Sequence, residues 1–316
     1  MNRSRFRILG VIAAAAIVAG ACTSAGATAS PTATAVPPTA TPASAAPASP
    51  TMAPLPTVPA TDLISAGKLT ICSDTAYPPQ ESLDSNQKPV GSDIDLSTEI
   101  AKRLGLTLVV KSIAFNVIIP ALTGGGCDII VSAQTITAER QQQVDMIPYF
   151  QAGQEFVVLA GNPEHIATVD DLCGKSVAAE DGTVEAMHIS GTGDYKPADG
   201  LSNQCVAKGK AKITLKTFTL DTQALLALSA GTVSAHFTDE PVAGYEVAHG
   251  NGAYEVVPNL NLERAPEGIS VGKNHTGLRD AVRAALDSMI ADGTYLRILT
   301  TWGIQSGAVT STAPVS

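Results

Sequence analysis

The chain has 316 residues, 45% of them apolar, and a formal charge of −9 from 20 Lys and Arg against 29 Asp and Glu. That is apolar material enough for one large domain or two ordinary lobes, and an acidic balance that excludes the basic stripe a nucleic-acid backbone demands. The first predicted segment does not belong to the fold. Arg3, Arg5 and Arg7 form a cationic start, residues 8–19 an apolar run, and Ala19, Gly20 and Ala21 a set of small side chains before Cys22. This is the pattern of a secretory signal, expected over residues 1–21 and removed by cleavage. The apolar run is shorter than the roughly 20 residues a membrane-spanning helix needs.

A cysteine directly after the small residues resembles the bacterial lipobox, in which that cysteine receives lipid and becomes the new N-terminus; Cys22 is then the anchor. Ala19 stands where the motif usually has Leu. The alternative is ordinary secretory cleavage beside an incidental cysteine. Residues 23–61 are almost wholly Ala, Thr, Ser and Pro, with no charge before Asp62. Such a stretch buries no core and makes an extended, partly stiff spacer, so 22–61 reads as a linker holding a domain off a membrane.

Residues 68–73 predict a strand, after which Pro78 and Pro79 forbid either regular element and a loop is expected. Ile94, Ile100, Ala101 and Leu104 recur at helical spacing behind Ser92 and Asp93, with Gly105 as the closing cap. Residues 106–110 read as strand, 118–122 as helix, and 128–132 as strand after Gly124, Gly125 and Gly126. The alternation restarts after 154–159 with strand at 176–179, helix at 183–189, strand at 212–218 and helix at 222–229. Segments 233–237, 241–248 and 254–257 continue it, and a strand from Gly268 with helices over 277–291 and 294–302 completes it. Alternation of this kind predicts an α/β fold.

Beyond Cys22, Cys72, Cys127, Cys173 and Cys205 remain in a chain bound for an oxidising compartment, so two disulfides are expected. Four cysteines allow three pairings. Cys173 with Cys205 is favoured because the two bracket a Gly- and Asp-rich excursion. Cys72 with Cys127 then follows by default, although Cys72 stands late in its strand and Cys127 ahead of its own. No P-loop, Rossmann glycine pattern or Gly-x-Ser-x-Gly elbow is present, and the five histidines form no pair at helical metal spacing with supporting ligands. No cofactor and no metal site is expected. Glu185 and His188, three apart on one predicted helix, read as a solvated face.

Seven motifs then arrive in order. They are Ser73 through Tyr77-Pro78-Pro79; Gly91-Ser92-Asp93-Ile94-Asp95-Leu96; Phe115 through Ile119-Pro120-Ala121-Leu122; and Ser132 through Ile136-Thr137-Ala138-Glu139-Arg140. Asp181-Gly182-Thr183, Asp239-Glu240-Pro241-Val242-Ala243 and Asp292-Gly293-Thr294-Tyr295 with Trp302 follow. Over about 68–302 the chain resembles the extracellular amino-acid-binding proteins of ABC importers, solute-binding protein family 3. The resemblance implies a type II periplasmic-binding-protein-like fold, two α/β lobes joined by two crossing strands. With crossings near Gln154 and Arg264, lobe 1 is 62–153 plus 264–316 and lobe 2 is 154–263, with the excursion 190–204 in lobe 2. It further implies a small-molecule ligand, an amino acid or derivative, an ABC permease as partner, a monomer, and an extracytoplasmic, lipid-anchored location.

An α-amino acid offers a carboxylate and an ammonium at fixed separation, so its site needs a matched cation and anion. The resemblance gives these roles to Arg140, whose fork grips a carboxylate bidentately, and to Asp239. Ser132, Thr135 and Thr183 stand where strands end and helices begin, so that hydroxyls and free N–H groups meet an anion together. Ala133 and Val184 depart from the family's small or hydroxylated residues and leave backbone groups to serve. Ser92 replaces the family's Phe. Asp74 resembles a position that binds polar ligand atoms, and Tyr77 and Phe115 an aromatic pair enclosing the ligand side chain. Glu185, Gln134 and Asn116 are candidates to touch that side chain. Two other readings share the scaffold: an exported cyclohexadienyl or arogenate dehydratase with Glu185 as proton donor behind Gly182 and Thr183, and a sensor that presents ligand to a receptor.

Overall fold

The computed structural model describes residues 54–314, so the expected signal, Cys22 and most of the linker lie outside the described residues. β1 (Lys68–Ser73) is buried at every position after Lys68, as befits a strand covered on both faces. Where a plain loop is expected, β2 (Ala76–Tyr77), β3 (Glu81–Leu83) and β4 (Pro89–Val90) pair antiparallel into a small sheet. Pro78 and Pro79 fall in the turn between β2 and β3, and Pro89 opens an edge strand, positions where a missing N–H costs no ladder bond. α1 (Ser92–Arg103) has Asp93 and Asp95 in its first turn and Lys102 and Arg103 in its last, in the sense that complements its dipole. Gly91 precedes it at φ 136°, and a Cβ there would stand 2.1 Å from the carbonyl oxygen of Gln80.

β5 (Thr107–Ser112), α2 (Ile118–Thr123), β6 (Ile129–Ile130) and α3 (Ala138–Gln143) lead to β7 (Val144–Leu159), a strand of 16 residues. Then follow β8 (Ser176–Glu180), α4 (Val184–Ser190), α5 (Leu201–Ala207), β9 (Thr214–Phe218), α6 (Asp221–Ser229), β10 (Ala235–Asp239) and α7 (Glu240–His249). β11 (Tyr254–Val256), β12 (Leu262–Gly272), α8 (Thr276–Ala291) and α9 (Thr294–Thr301) finish the chain. The helix α5 lies partly in the excursion that the sequence left unread.

The main sheet runs β5-β1-β6-β12-β7-β10-β8-β9, with β11 paired to β7. β1 pairs in parallel with β5 and β6, and β8 in parallel with β9 and β10. Between these two parallel sets run β7 and β12, antiparallel to each other from Leu262 opposite Gln154 to Gly272 opposite Val144. Their register shifts between Leu262 and Ala265 and between Glu267 and Gly268. One core packs Leu69, Ile71, Ile100 and Tyr149 against Ile269, Leu278 and Leu286; a second packs Phe156, Val177 and Ile189 against Phe237 and Val257. At about 1.5–3 kcal/mol for each fully buried large aliphatic or aromatic side chain, each set sustains its own lobe. The chain is thus two α/β lobes joined by two strands. Leu55 and Val58 pack on the first core, and the Asp62 carboxylate accepts from the backbone N–H of Leu278 at 3.1 Å.

The two disulfides are Cys72–Cys127 and Cys173–Cys205. The first is reachable because the turn before β6 passes beneath β1: Asp128 N–H donates to the Thr70 carbonyl at 2.8 Å, and both cysteines share a cluster with Ile118 and Leu122 of α2. The second closes the excursion.

Candidate ligand-binding site

Parallel strands of an α/β sheet present their C-terminal ends to a common crevice. Asp74 follows β1, Ser132 and Ala133 follow β6, and Asp239 closes β10. All three points meet in a cavity between the lobes. Asp74, Tyr77, Phe115, Ser132, Ala133, Thr135 and Arg140 line it from the first lobe, and Thr183, Val184, Glu185 and Asp239 from the second. Glu81 and Glu180 line it as well.

Arg140 is placed by α3, whose N-cap Thr137 accepts from the Arg140 N–H at 3.2 Å. Its guanidinium is buried, donating to the Thr135 carbonyl at 2.7 Å and, across the lobes, to the Gly182 carbonyl at 3.0 Å. The guanidinium carbon stands 5.2 Å from the centre of the Phe115 ring, a cation–π distance. Burial lowers its pKa from the ordinary value, and the charges of Glu185 and Asp239 oppose that shift. Gly182 makes the close approach possible: at φ 84°, it has no Cβ where one would meet the Asn116 Cα at 2.9 Å.

Tyr77 crosses the gap in the other direction, donating to Asp239 Oδ2 at 2.9 Å and accepting from the Asp239 N–H at 3.2 Å. Burial, with the charges of Glu185 and Glu267, pushes the Asp239 carboxyl well above the usual range; burial likewise raises Glu185. Further bonds span the lobes outside the cavity. Asn116 Nδ2 donates to Asp181 Oδ2 at 2.8 Å, and the Asp194 carboxylate accepts from the N–H groups of Ala138 and Glu139 at 2.6 and 3.1 Å.

The expected hydroxyl cradle is largely spoken for. Ser132 Oγ donates to Glu81 Oε1 at 2.7 Å and accepts from the Asp74 N–H at 2.8 Å, while Thr183 Oγ1 caps α4 and donates to the Glu180 carbonyl at 2.9 Å. Ala133 sits at φ 44°, and its N–H points at Asp93 Oδ2 and the Tyr149 hydroxyl, each at 3.1 Å, instead of into the cavity. Asp74 Oδ2 accepts from the Phe115 N–H at 2.9 Å. Asn116 and Gln134 do not line the cavity; Gln134 Oε1 is bonded to Ser270 Oγ at 2.5 Å. Ser92, in place of the family's Phe, is buried.

Glu81 and Glu180 escaped the sequence reading. Glu180 ends a parallel strand two residues before Gly182, a position at which strand-end geometry alone flags a side chain. Glu81, four residues past Tyr77 across two prolines, gives no such signal. With them the lining carries five carboxyl groups, Asp74, Glu81, Glu180, Glu185 and Asp239, against the single guanidinium of Arg140.

Behind the second-lobe wall, His236 Nε2 stands 2.8 Å from Asp221 Oδ1 and Nδ1 stands 3.3 Å from Glu246 Oε2, all three buried. Their donor atoms lie within 4.8 Å of one another, close enough for a metal, a grouping that helical spacing did not reveal. Both ring nitrogens face carboxylates, which is the arrangement of an imidazolium between two acids. Burial alone lowers the His236 pKa, but the charges of Asp221 and Glu246 outweigh it and push it well above the ordinary value.

Among the described residues no helix is long and apolar enough to cross a membrane. The chain is similar to the arginine-binding protein ArgT of Corynebacterium glutamicum, with 31% identity over 245 residues that cover 78% of this chain and 77% of that one. Among solved structures it is similar to an ancestral arginine-binding protein bound to arginine, at 36% identity and a TM-score of 0.65, covering 75% of this chain and 98% of that one. It is also similar to the ancestral amino acid-binding protein AncCDT-1, a precursor of cyclohexadienyl dehydratase, at 31% identity and a TM-score of 0.63 over 75% and 95% of the two chains. The motifs, the two lobes and the cavity between them agree with the family model that matches residues 69–305: the chain belongs to the bacterial extracellular solute-binding proteins, family 3.

Proposed function

We propose that this chain captures an amino acid with a positively charged side chain between its lobes and presents it to an ABC permease. The observation that carries this reading is the lining of the cavity, five carboxyl groups able to meet donors around one buried guanidinium. Arg140 takes the ligand carboxylate and Asp239, on the facing lobe, its ammonium, so only closure satisfies both ends. The likeness to arginine-binding proteins supports the same class of ligand. On this reading the lobes are 62–153 plus 264–316 and 154–263, Cys22 carries the lipid anchor, and the protein works as a monomer outside the cytoplasm.

No bond is made or broken in this function. One feature favours the dehydratase reading: Glu185 is buried with its carboxyl raised, as a proton donor requires. Incubation with prephenate or arogenate distinguishes the two, since an aromatic product appears only for the enzyme. The binding reading is tested by calorimetric titration with amino acids. L-arginine or L-lysine should bind, and Arg140→Ala should weaken that binding by about 3 kcal/mol or more, because a buried carboxylate loses its partner. Unchanged affinity in that variant refutes the role of Arg140.

A further inference from the structure

Thr238, one residue before Asp239 on β10, does not line the cavity, and neither does Asp221, the first residue of α6. Both are buried, and together they continue the contact that Tyr77 makes across the lobes. Thr238 Oγ1 stands 3.2 Å from the Tyr77 hydroxyl on one side and 3.1 Å from Asp221 Oδ1 on the other. With the bond of 2.9 Å between Tyr77 and Asp239 Oδ2, this makes an unbroken row with an acid at each end and two hydroxyls between. Each hydroxyl has one proton to donate, so only two of the three links are filled at a time. With both protons directed at Asp239, Thr238 donates to Tyr77 and Tyr77 to Asp239. With both directed at Asp221, Tyr77 donates to Thr238 and Thr238 to Asp221. The frame around the row is the same in either direction. The Asp239 N–H donates to the Tyr77 oxygen at 3.2 Å, and Nε2 of His236, two residues before Thr238 on the same face of β10, lies 2.8 Å from Asp221 Oδ1. Asp221 Oδ2 has no hydrogen-bond partner, which leaves that carboxyl with accepting capacity to spare.

We infer that Thr238 and Asp221 are positioning residues for ligand capture, forming a hydrogen-bond chain that turns from Asp239 to Asp221 when the ligand ammonium takes Asp239 Oδ2. An ammonium brings donors and no acceptor, so the Tyr77 proton needs a new place as the ligand arrives. Without Thr238 a buried phenol would lose its acceptor at that moment, and the loss would offset part of the binding. With Thr238 in place, Tyr77 turns its proton to Thr238 and Thr238 turns its own to Asp221. No proton leaves its oxygen. Tyr77 of the first lobe therefore stays bonded to the second lobe while Asp239 changes partner.

This inference rests on the reading that Asp239 receives the ammonium of an amino acid, and a double-mutant cycle separates the two. L-arginine binding is measured by calorimetry on the intact chain as wild type, Thr238→Val, Tyr77→Phe and the double variant. Thr238→Val should weaken binding at least tenfold, and Thr238→Ser, which keeps the hydroxyl, should stay within threefold of the wild type. In the Tyr77→Phe background, where no phenol proton has to be placed, Thr238→Val should change affinity less than twofold. If the Val variants fail to fold, Thr238→Ala in both backgrounds supplies the same comparison. Wild-type affinity in Thr238→Val overturns the inference and leaves an amino-acid site standing. An equal loss with and without the Tyr77 hydroxyl also overturns it, since Thr238 then acts by packing alone. A wild type that binds neither L-arginine nor L-lysine overturns the amino-acid reading itself, and the inference with it.

Discussion

The two lobes bury acids in opposite ways. In the first lobe Glu81, Asp93 and Glu267 are buried with only neutral donors around them: Ser132 Oγ on Glu81, the Tyr149 hydroxyl on Asp93 at 2.6 Å, and Gln80 Nε2 on Glu267 at 2.6 Å. One oxygen of each has no partner. Burial pushes Glu81 and Glu267 well above the usual carboxylate range and Asp93 up to about 6. In the second lobe Asp221 and Glu246 flank His236. Burial raises the acids of the first cluster with no cation beside them, whereas those of the second flank an imidazole whose own pKa they raise. The lesson is that a buried carboxyl tolerates either solution, but the consequences of mutation differ, because removing a proton acceptor relieves the first cluster and removing the cation strands the second.

The largest effect should come from breaking the second arrangement. His236→Ala leaves Asp221 and Glu246 buried without a cation and should cost about 3–5 kcal/mol in urea unfolding at pH 6. A loss below about 1 kcal/mol would mean that His236 is neutral in the fold. The contact that joins the lobes comes next. Asp194→Asn removes the charge that holds the N–H groups of Ala138 and Glu139, and the closed state should weaken by about 1–2 kcal/mol. The expected sign is ligand dissociation about tenfold faster in stopped-flow with little change in association.

The smallest effect should be found in the first lobe, where its sign sharpens the contrast. Glu267→Gln should stabilise the protein by about 1 kcal/mol at pH 8, where the native carboxyl must keep a proton that the unfolded chain releases. Near pH 4 both states hold that proton and the gain should vanish. The pH profile of the wild type follows from the same rule. A carboxyl raised on folding loses stabilising power as pH rises from its unfolded toward its folded value, for Asp93 from 3.8 to about 6. His236, also raised, contributes fully below 6.5 and loses its contribution as pH climbs through its folded value. Thermal unfolding should therefore show stability falling from pH 5 to pH 9. A profile that rises across this range contradicts both assignments.

How much of this was legible depends on how local the cause is. β1 was predicted with the bounds it has, because alternation and an apolar run are properties of the segment itself. The helix at 92–103 was equally plain, flagged by its spacing and by Gly105. The small sheet of β2, β3 and β4 was missed because strands of two or three residues carry no periodicity, and their pairing is set by contacts across the prolines. Only the second half of β7 was read; residues 144–153 were not assigned, and Pro148 among them is accommodated opposite a shift in register. At the cavity, motif order placed many of the lining residues, but nothing in the chain announced that Gln134 would turn toward Ser270 or that Glu81 would line the cleft. Those facts arise only when distant segments meet.

Ala133 stands where the resemblance expects Gly or Ser. Its φ of 44° lies where an L side chain rarely rests, and Asp93 and Tyr149 hold its N–H there. A glycine would sample many conformations before binding; alanine, once pinned, has few left to lose. The floor of the cleft is accordingly stiff before any solute arrives, and recognition draws less on local ordering than on the swing of one half toward the other.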